Sequence, residues 1–353
     1  DEDHKPINWT DSHATARGWE EAACRTLNVR TVLDYNLFIR DLSRSTGVDP
    51  SELKDKYDFR STIFGPDNIT IPIYDEMGQP VGFTARWLKW KRKDKRPKYT
   101  NSHNSPAFQK NKVLYGMHLT KRSQGKRLDI FEGNGSFITA YGKGHKSAVA
   151  LMSSAISDDQ IALIQRLGFS HVNLALDGDV AGNEKTDKYM EALSGREGLR
   201  VTCTKMPDGM DPDDLIIAEG LSEFYKLGTI SAFEYMLTKH VDEAKQGDVP
   251  KFVSTMLKII LNTANRIERG QQIKALAAVV DIPEEDIRDE MQRLVDISVD
   301  RIRDDLTSSL KYARDTDEIL SAIERTKITV EETSGSRNER QNLSDIESLE
   351  NFH

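Results

Sequence analysis

The stretch Val172–Gly182, with the sequence VNLALDGDVAG, constrains the fold of this chain more than any other. Apolar residues recur in it at every second position, which is typical of a buried β-strand. The strand ends in Asp177 and Asp179, and residues two apart on a strand point to the same side. We therefore expect the two carboxylates to converge, with Gly178 leaving room for a ligand. Two such charges repel each other unless a divalent cation screens them, so the pattern predicts a metal site. An acidic turn after a strand is the alternative interpretation.

Two further segments repeat this pattern of apolar residues followed by acids. Leu128–Gly133 ends in Glu-Gly, and Pro207–Leu215 reads PDGMDPDDL. Their spacings from the central stretch leave room for helices between strands, which is typical of a parallel α/β sheet. The carboxyl ends of parallel strands lie along one edge of the sheet, where ligands bind. The three acidic strand ends therefore predict one site.

The charge of the chain is unevenly distributed. The 353 residues carry a net charge of -8, yet the segment from Arg86 to Arg127 holds fourteen Lys or Arg residues and one acid. The segment from Asp281 to His353 holds twenty acids against ten bases. Clustered Lys and Arg bind phosphates, so an acidic chain with one basic segment is a reasonable nucleic-acid binder. The length suits two or three domains.

Cysteine content and hydropathy exclude several classes of protein. Cys24 and Cys203 are the only cysteines, which fits a reducing cytosol and leaves no C-x-x-C pair for a zinc ribbon. No apolar run approaches eighteen residues, so we expect a cytoplasmic chain with no membrane insertion. The first residue is Asp1 and not Met, and we expect an excised fragment of a longer protein.

The basic segment follows a predicted β-hairpin. Alternating apolar residues flank a DEMG turn within Ile69–Trp87, and Gly78 supplies the positive φ that a tight turn needs. Lys89–Arg96 then forms a basic loop that contains Trp90, and Pro97–Gly116 continues with Lys and aromatic residues. Cations that track the backbone and rings that stack on bases suit single-stranded nucleic acid. A solvated surface loop is the alternative.

The succession of these motifs resembles a known family. A strand ending in Glu-Gly, then D-x-D-x-A-G, then D-P-D-D-L resembles the TOPRIM domain of DnaG-type primases, topoisomerases and some nucleases. The upstream succession I-P-I-x-D-x-x-G-x-x-x-G-F-x-x-R, P-K-Y-x-N-S and F-x-K-x-K-x-L-Y-G resembles the RNA-polymerase core of DnaG-type primases. The resemblance covers about Ile69 to Gly220. It implies that Arg86, Lys98 and Lys110, with Asn101 beside them, bind template and nucleotide. From the basic and aromatic composition of the same segment, we add Trp90 and Lys112 to the predicted set.

The resemblance also implies a set of metal ligands for Mg²⁺ or Mn²⁺, whereas the cysteine content predicts no zinc site in this chain. The matching acids are Glu132, Asp177, Asp179, Asp211 and Asp213. We expect the first three to be catalytic. These primases usually carry an Asp four residues after the Glu, whereas this chain has Ser136 there. Ser can hydrogen-bond a metal-bound water but brings no charge, so we expect altered metal affinity or preference.

The predicted architecture is a TOPRIM parallel sheet flanked by helices, with a basic α+β subdomain before it and a helical bundle after it. We place the boundaries at 1–120, 121–228, 229–300 and 301–353. Between the acidic strands, Ser157 and Gln160 form a capping box for a helix that Gly168 ends, and another helix follows over Asn183–Leu193. Later helices are predicted over Phe233–Ala244, Phe252–Asn262, Gln271–Val280 and Glu284–Val299. The last of the four segments is predicted to hold an acidic helix and a flexible tail, with Lys327–His353 as a disordered tail or linker.

The function implied by the resemblance is template-directed synthesis of RNA primers on single-stranded DNA from ribonucleoside triphosphates. A metal-dependent TOPRIM nuclease and a non-catalytic subunit that binds single-stranded DNA and recruits the helicase are the alternatives. The helical region resembles the part of such primases that leads to the helicase-contacting region. A helix-turn-helix within Ala275–Leu294 is disfavoured because its recognition segment carries more acid than base. We expect a bacterial or bacteriophage source.

Overall fold

The computed structural model describes residues 18–91, 93–121, 125–153 and 155–312. The predicted tail at Lys327–His353 lies outside them. The described chain divides into two compact units. The first runs to Tyr189 and resumes over Cys203–Thr229, and the second comprises Met190–Thr202 and the chain from Ile230 onward. This division does not test the four predicted domain boundaries, which stay predictions.

A small antiparallel sheet follows three short helices in the first unit. The helices are α1 (Glu21–Thr26), α2 (Tyr35–Thr46) and α3 (Pro50–Asp55), and the strands are β1 (Asn68–Tyr74), β2 (Pro80–Trp87) and β3 (Tyr99–Asn101), in the order β1-β2-β3. The hairpin prediction is confirmed, because β1 pairs antiparallel with β2. Gly78 has φ +88° in the turn between them, a backbone conformation that favours glycine.

The second sheet is the predicted α/β sheet. Its elements are α4 (Met117–Thr120), β4 (Arg127–Phe131), α5 (Asn134–Gly142), β5 (Ala148–Ala150), α6 (Asp158–Arg166), β6 (His171–Ala175), α7 (Val180–Leu193), β7 (Arg200–Thr204), α8 (Pro212–Glu219), α9 (Leu221–Lys226) and β8 (Thr229–Ser231). The strand order is β5-β4-β6-β7-β8, and β4 pairs parallel with both β5 and β6. A mostly parallel sheet with flanking helices is thereby confirmed. The helix α5 and the strand β5 were not predicted.

The core of the first unit explains why α5 forms without a clear sequence signal. Seven consecutive residues of α5, from Asn134 to Ala140, are buried. The helix therefore lacks the alternation of an exposed polar face and a buried apolar face by which a helical period is recognised in sequence. Phe137 and Ile138 pack in one apolar cluster with Phe131 of β4 and Leu215 of α8. Tertiary packing, and not amphipathic pattern, therefore holds this helix.

The two helices predicted between and after the acidic strands are present. In α6, Ser157 Oγ accepts from the Gln160 backbone N–H at 3.1 Å and the Gln160 side chain accepts from the Ser157 N–H at 3.1 Å, which is the predicted capping box. The helix α7 begins at Val180 and not at the predicted Asn183. The reason is a cap supplied by Asp179, whose Oδ1 accepts from the Gly182 N–H at 2.7 Å.

The second unit contains four consecutive helices, as predicted. They are α10 (Ala232–Gln246), α11 (Val249–Leu261), α12 (Arg266–Val280) and α13 (Glu284–Tyr312). The helix α13 continues past the predicted end at Val299. Its further turns carry charged neighbours such as Arg303 and Asp300, whose side chains lie 3.2 Å apart, so apolar spacing could not mark them. Among the described residues, no helix has the length and apolar character needed to cross a membrane.

Candidate functional site

A cavity of about 550 Å³ lies in the first unit where β4 and β6 end. Glu132 directly follows the last residue of β4, and Asp177 lies two residues beyond the end of β6. The charged residues that line the cavity are Glu132, Asp177, Asp211 and Asp213, together with Lys98, Lys110 and Lys185. Four of the five predicted acids and two of the predicted bases therefore share one cavity, at the sheet edge where the sequence predicted a site.

The pair Asp177 and Asp179 lies in a turn and not on the strand. Because β6 ends at Ala175, Asp177 and Asp179 are not strand residues, and their side chains do not converge by strand geometry. Asp177 lines the cavity and is half-buried, whereas Asp179 is exposed and caps α7. The two carboxylates thus have different surroundings.

Gly178 joins the acidic turn to the third acidic segment. Its N–H donates to the Met210 carbonyl at 2.9 Å, and its own carbonyl accepts from the Gly209 N–H at 3.0 Å. A Cβ at this position would lie 2.2 Å from the Pro207 carbonyl oxygen. The prediction that Gly178 leaves room for a ligand is therefore wrong: the glycine permits close approach of two backbone segments.

The third acidic segment is a loop that enters a helix, and not a strand end as predicted. The Asp211 side chain caps α8 by accepting from the Asp214 N–H at 2.7 Å. Asp213 is only 3 % exposed, and one of its carboxylate oxygens accepts from the Thr139 hydroxyl of α5. Hydrogen bonds between Gly178 and the loop before α8 bring both acids to the cavity.

The electrostatics of the cavity act most strongly on Asp177. Burial, together with the charges of Glu132, Asp211 and Asp179, raises the pKa of its carboxyl to about 7. The charge of Lys185 opposes this rise. Three acids and one base therefore lie close enough to Asp177 to affect its ionisation.

Lys185 pairs with Glu132 inside the cavity. The Lys185 Nζ donates to Glu132 Oε1, and the two side chains are 26 % and 23 % exposed. Lys185 was not among the predicted site residues. The helix that carries it was predicted to start close to Asp179, but nothing in the neighbouring sequence indicates that Lys185 reaches Glu132, 53 positions away.

The residues present suit a hard divalent cation. Asn134 is 5 % exposed and lines the cavity, and its Oδ1 is buried with no hydrogen-bond partner among the described residues. Together with the carboxylates and the buried Ser136, it forms a donor set made only of oxygen, which hard divalent cations prefer.

No group of three or more His, Cys, Asp or Glu within the described ranges is already spaced as a metal site. The cause is visible in the contacts of the acids. Glu132 binds Lys185, Asp179 binds the Gly182 N–H, and Asp213 binds Thr139, so these carboxylates are turned toward protein donors. Metal binding would therefore exchange some of these contacts for metal ligation.

The basic side of the cavity is formed by the segment before β4. Lys98, Lys110 and Asn101 line the cavity, and burial lowers the pKa of Lys110. The position of Lys110 depends on α6. The Gln160 Nε2 donates to the Val113 carbonyl at 2.8 Å, and the Ser157 hydroxyl donates to the Asn111 carbonyl.

Four predicted site residues do not line the cavity: Arg86, Trp90, Lys112 and Asp179. Arg86 is half-buried on β2. The Trp90 indole N–H donates to the Arg96 carbonyl at 3.1 Å within its own loop. The ammonium of Lys112 lies 3.9 Å from the Asp159 carboxylate. Their predicted roles toward template or metal stay predictions.

Other cavity residues were missed by the sequence analysis. These are Thr84, Asn134, Met152 and Ser153, besides Lys185. Met152 has φ +45°, an uncommon backbone conformation for a residue other than glycine. Nothing in the sequence around it signals this, because the conformation arises in the loop between β5 and α6.

Comparison with known protein families gives two matches. The family described as the DNA primase catalytic core, N-terminal domain, matches residues 40–121, and the Toprim-like family matches residues 130–216. Among curated proteins, the DNA primase of Halalkalibacterium halodurans is 29% identical over 238 residues, which cover 65% of this chain and 38% of that protein. A DNA primase of Staphylococcus aureus is 30% identical over 233 residues, 64% of this chain and 38% of that protein. The chain thus spans well under half the length of the curated relatives it matches.

Solved structures share the fold. A DNA primase domain from Pseudomonas aeruginosa superposes with a TM-score of 0.62 at 23% identity, covering 80% of this chain and 92% of that one. A DnaG primase catalytic domain bound to single-stranded DNA gives a TM-score of 0.60 at 20% identity, over 78% and 90% of the two chains. The two family matches, the primase relatives and the shared fold together support a DnaG-type primase with a TOPRIM-containing catalytic core.

Proposed function

We propose that this chain synthesises short RNA primers on a single-stranded DNA template by metal-dependent nucleotidyl transfer. The observation that carries the proposal is the shared cavity of about 550 Å³, in which acids of the Toprim-like segment face lysines of the upstream segment. Nucleotidyl transfer needs both kinds of group, because a triphosphate must be held while charge develops at the reacting phosphorus.

The acids are the proposed ligands of the divalent cation. Glu132, Asp177 and Asp211 line the cavity and are the residues proposed to hold it, with Asn134 Oδ1 as a neutral oxygen ligand. When bound, Mg²⁺ or Mn²⁺ would lower the pKa of the attacking 3′-hydroxyl and neutralise negative charge on the triphosphate. Asp213 contacts Thr139 and is the acid proposed to hold α8 against α5.

The lysines are the proposed ligands of the phosphates. Lys98 is exposed at the cavity, and Lys110 is half-buried there, where water screens its charge less. Asn101 lies between them in the chain and offers a neutral hydrogen-bonding group. In this proposal, they orient the incoming ribonucleoside triphosphate and the template strand so that the hydroxyl and the α-phosphate meet in line.

The proposed partners are single-stranded DNA, ribonucleoside triphosphates and, through helices α10 to α13, a replicative helicase. The DnaG catalytic domain with a similar fold was solved bound to single-stranded DNA. The upstream basic segment at the same cavity favours primer synthesis over the nuclease alternative, since cleavage of a strand does not require a second substrate to be held.

The test is incubation of the chain with single-stranded template, labelled ribonucleotides and Mn²⁺ or Mg²⁺. We expect short RNA products. We expect Asp177→Asn to reduce synthesis by at least about 100-fold, because losing a charged ligand costs more than the ~10–100-fold typical of residues that only orient ligands. Template binding by the variant should remain.

Glu184→Gln is the matched control, since this exposed carboxylate lies on α7 next to the cavity-lining Lys185 but is not part of the site. Cleaved template without RNA would assign the chain to the nuclease alternative. Template binding without either product would assign it to the non-catalytic alternative. Full synthesis by Asp177→Asn would contradict the proposed metal site.

A further inference from the structure

The pair between Lys185 and Glu132 places a positive charge where the proposed metal ion must bind. The Lys185 Nζ contacts Glu132 Oε1, and both residues line the same cavity as Asp177 and Asp211. Both side chains are largely withdrawn from solvent, at 26 % and 23 % exposure. The pair is therefore weakly screened and differs in kind from the exposed ion pairs on the same unit.

Lys185 interacts with more than one acid of the cavity. Its charge acts on Asp177 as well as on Glu132. The helix that carries Lys185 is itself anchored to the acidic turn, because Asp179 caps its first turn. A Cβ on Gly182 would lie 2.0 Å from the Asp177 carbonyl oxygen, so only glycine lets α7 begin this close to the turn. The ammonium is thus positioned by the same turn that carries two of the acids.

An ammonium and a divalent cation are alternative partners for one carboxylate. Burying Glu132 next to Asp177 without any cation is costly because like charges repel in a poorly hydrated site. Lys185 reduces this cost in the metal-free chain. For the same reason, it competes with any cation that needs Glu132, since two positive charges on one carboxylate repel each other.

We propose that Lys185 is an internal counter-cation that a divalent metal ion displaces from Glu132 when it binds. The inference rests on the proposed metal site and adds to it a residue that sets metal affinity. Lys185 is a positioning residue in this scheme: it holds Glu132 in the metal-free chain and lowers the affinity of the cavity for the first ion. After displacement, its ammonium stays on α7 at the cavity.

The experiment is direct measurement of Mn²⁺ binding to the whole chain by the loss of the electron paramagnetic resonance signal of free Mn²⁺. We expect Lys185→Met to tighten Mn²⁺ binding by about ten-fold, because the ion then no longer has to displace an ammonium from Glu132. Lys185→Arg keeps the charge and should bind Mn²⁺ much as the wild type does. Lys188→Met, one turn further along α7 and exposed, is the matched control and should also leave binding unchanged.

A double-mutant cycle separates displacement at Glu132 from a general effect of charge. In a Glu132→Gln background, the carboxylate that Lys185 and the metal share is gone, so Lys185→Met should change Mn²⁺ affinity by less than about two-fold. A ten-fold gain that persists in this background would overturn displacement at Glu132. Melting curves check that each variant folds, and Lys185→Gln replaces Lys185→Met if the latter does not.

The outcomes also separate this inference from the proposed function. Equal Mn²⁺ affinity in the wild type and in Lys185→Met, with binding abolished in Asp177→Asn, would overturn the role of Lys185 and leave the metal site standing. Weaker binding by Lys185→Met would overturn competition and assign Lys185 a supporting role. Absence of Mn²⁺ binding in both proteins would overturn the metal site and this inference together.

Discussion

The ionisation of Asp177 couples folding to pH. Burial and the charges of Glu132, Asp211 and Asp179 raise its pKa from 3.8 to about 7 in the folded chain. Between these two pH values, the folded state holds a proton on Asp177 that the unfolded state has lost. Protonated Asp177 therefore contributes to the free energy of unfolding in full below pH 3.8, and this contribution is lost as the pH rises through 7. We expect the melting temperature of the wild type in EDTA to fall between about pH 5 and pH 8 by more than that of Asp177→Asn.

The comparison uses circular dichroism at matched ionic strength. Glu184→Gln changes an exposed carboxylate on α7 and should follow the wild-type pH dependence. Parallel curves for the wild type and Asp177→Asn would show that Asp177 does not hold a proton in the folded chain. The experiment is done without metal because a bound cation would keep the carboxylate ionised.

At the scale of elements, the N-terminus of α6 links the basic segment to the sheet. Gln160 completes the capping box with Ser157 and also donates to the Val113 carbonyl, close in the chain to Lys110. We expect Gln160→Met to lower the free energy of unfolding by about 1–3 kcal/mol, because buried backbone groups lose their partners. Binding of single-stranded DNA should weaken as well, since the segment that carries Lys110 loses an anchor.

Chemical denaturation and fluorescence anisotropy with a labelled oligonucleotide measure the two effects. Gln165→Met alters an exposed position on the same helix and controls for the substitution itself. Loss of stability with undiminished DNA binding would mean that Gln160 supports the fold without positioning Lys110.

At the scale of the whole molecule, a chain of net charge -8 is predicted to bind a polyanion through one basic segment. Binding should therefore weaken steeply with salt. For single strands, the slope of log K against log salt changes by about 0.7 for each phosphate contact. Lys98→Ala and Lys110→Ala should therefore each reduce the magnitude of this slope by about 0.7. Lys274→Ala, an exposed change in α12, should leave the slope unaltered. Slopes that match the wild type for all three variants would remove both lysines from the proposed interface.

Sequence alone determined the features that depend on neighbours in the chain. The turn at Gly78, the capping box of Ser157 and Gln160, and the apolar strands before Glu132 and Asp177 were predicted at or within a few residues of their observed places. These features arise from backbone conformation, local hydrogen bonds and hydrophobic period, which a short window of sequence contains. The same motifs in succession were enough to indicate the family.

Tertiary structure alone decided which side chains share the cavity and which partners each of them contacts. Lys185 reaches Glu132 across 53 positions of sequence, and Gly178 meets the Pro207–Met210 loop through backbone contacts that no motif encodes. The helix α5 forms without an amphipathic pattern because its surroundings bury it on every side. Such contacts depend on the path of the whole chain, and they determine which charged groups lie next to each carboxylate. For this reason, the acids could be predicted from sequence, whereas the counter-ion of Glu132 could not.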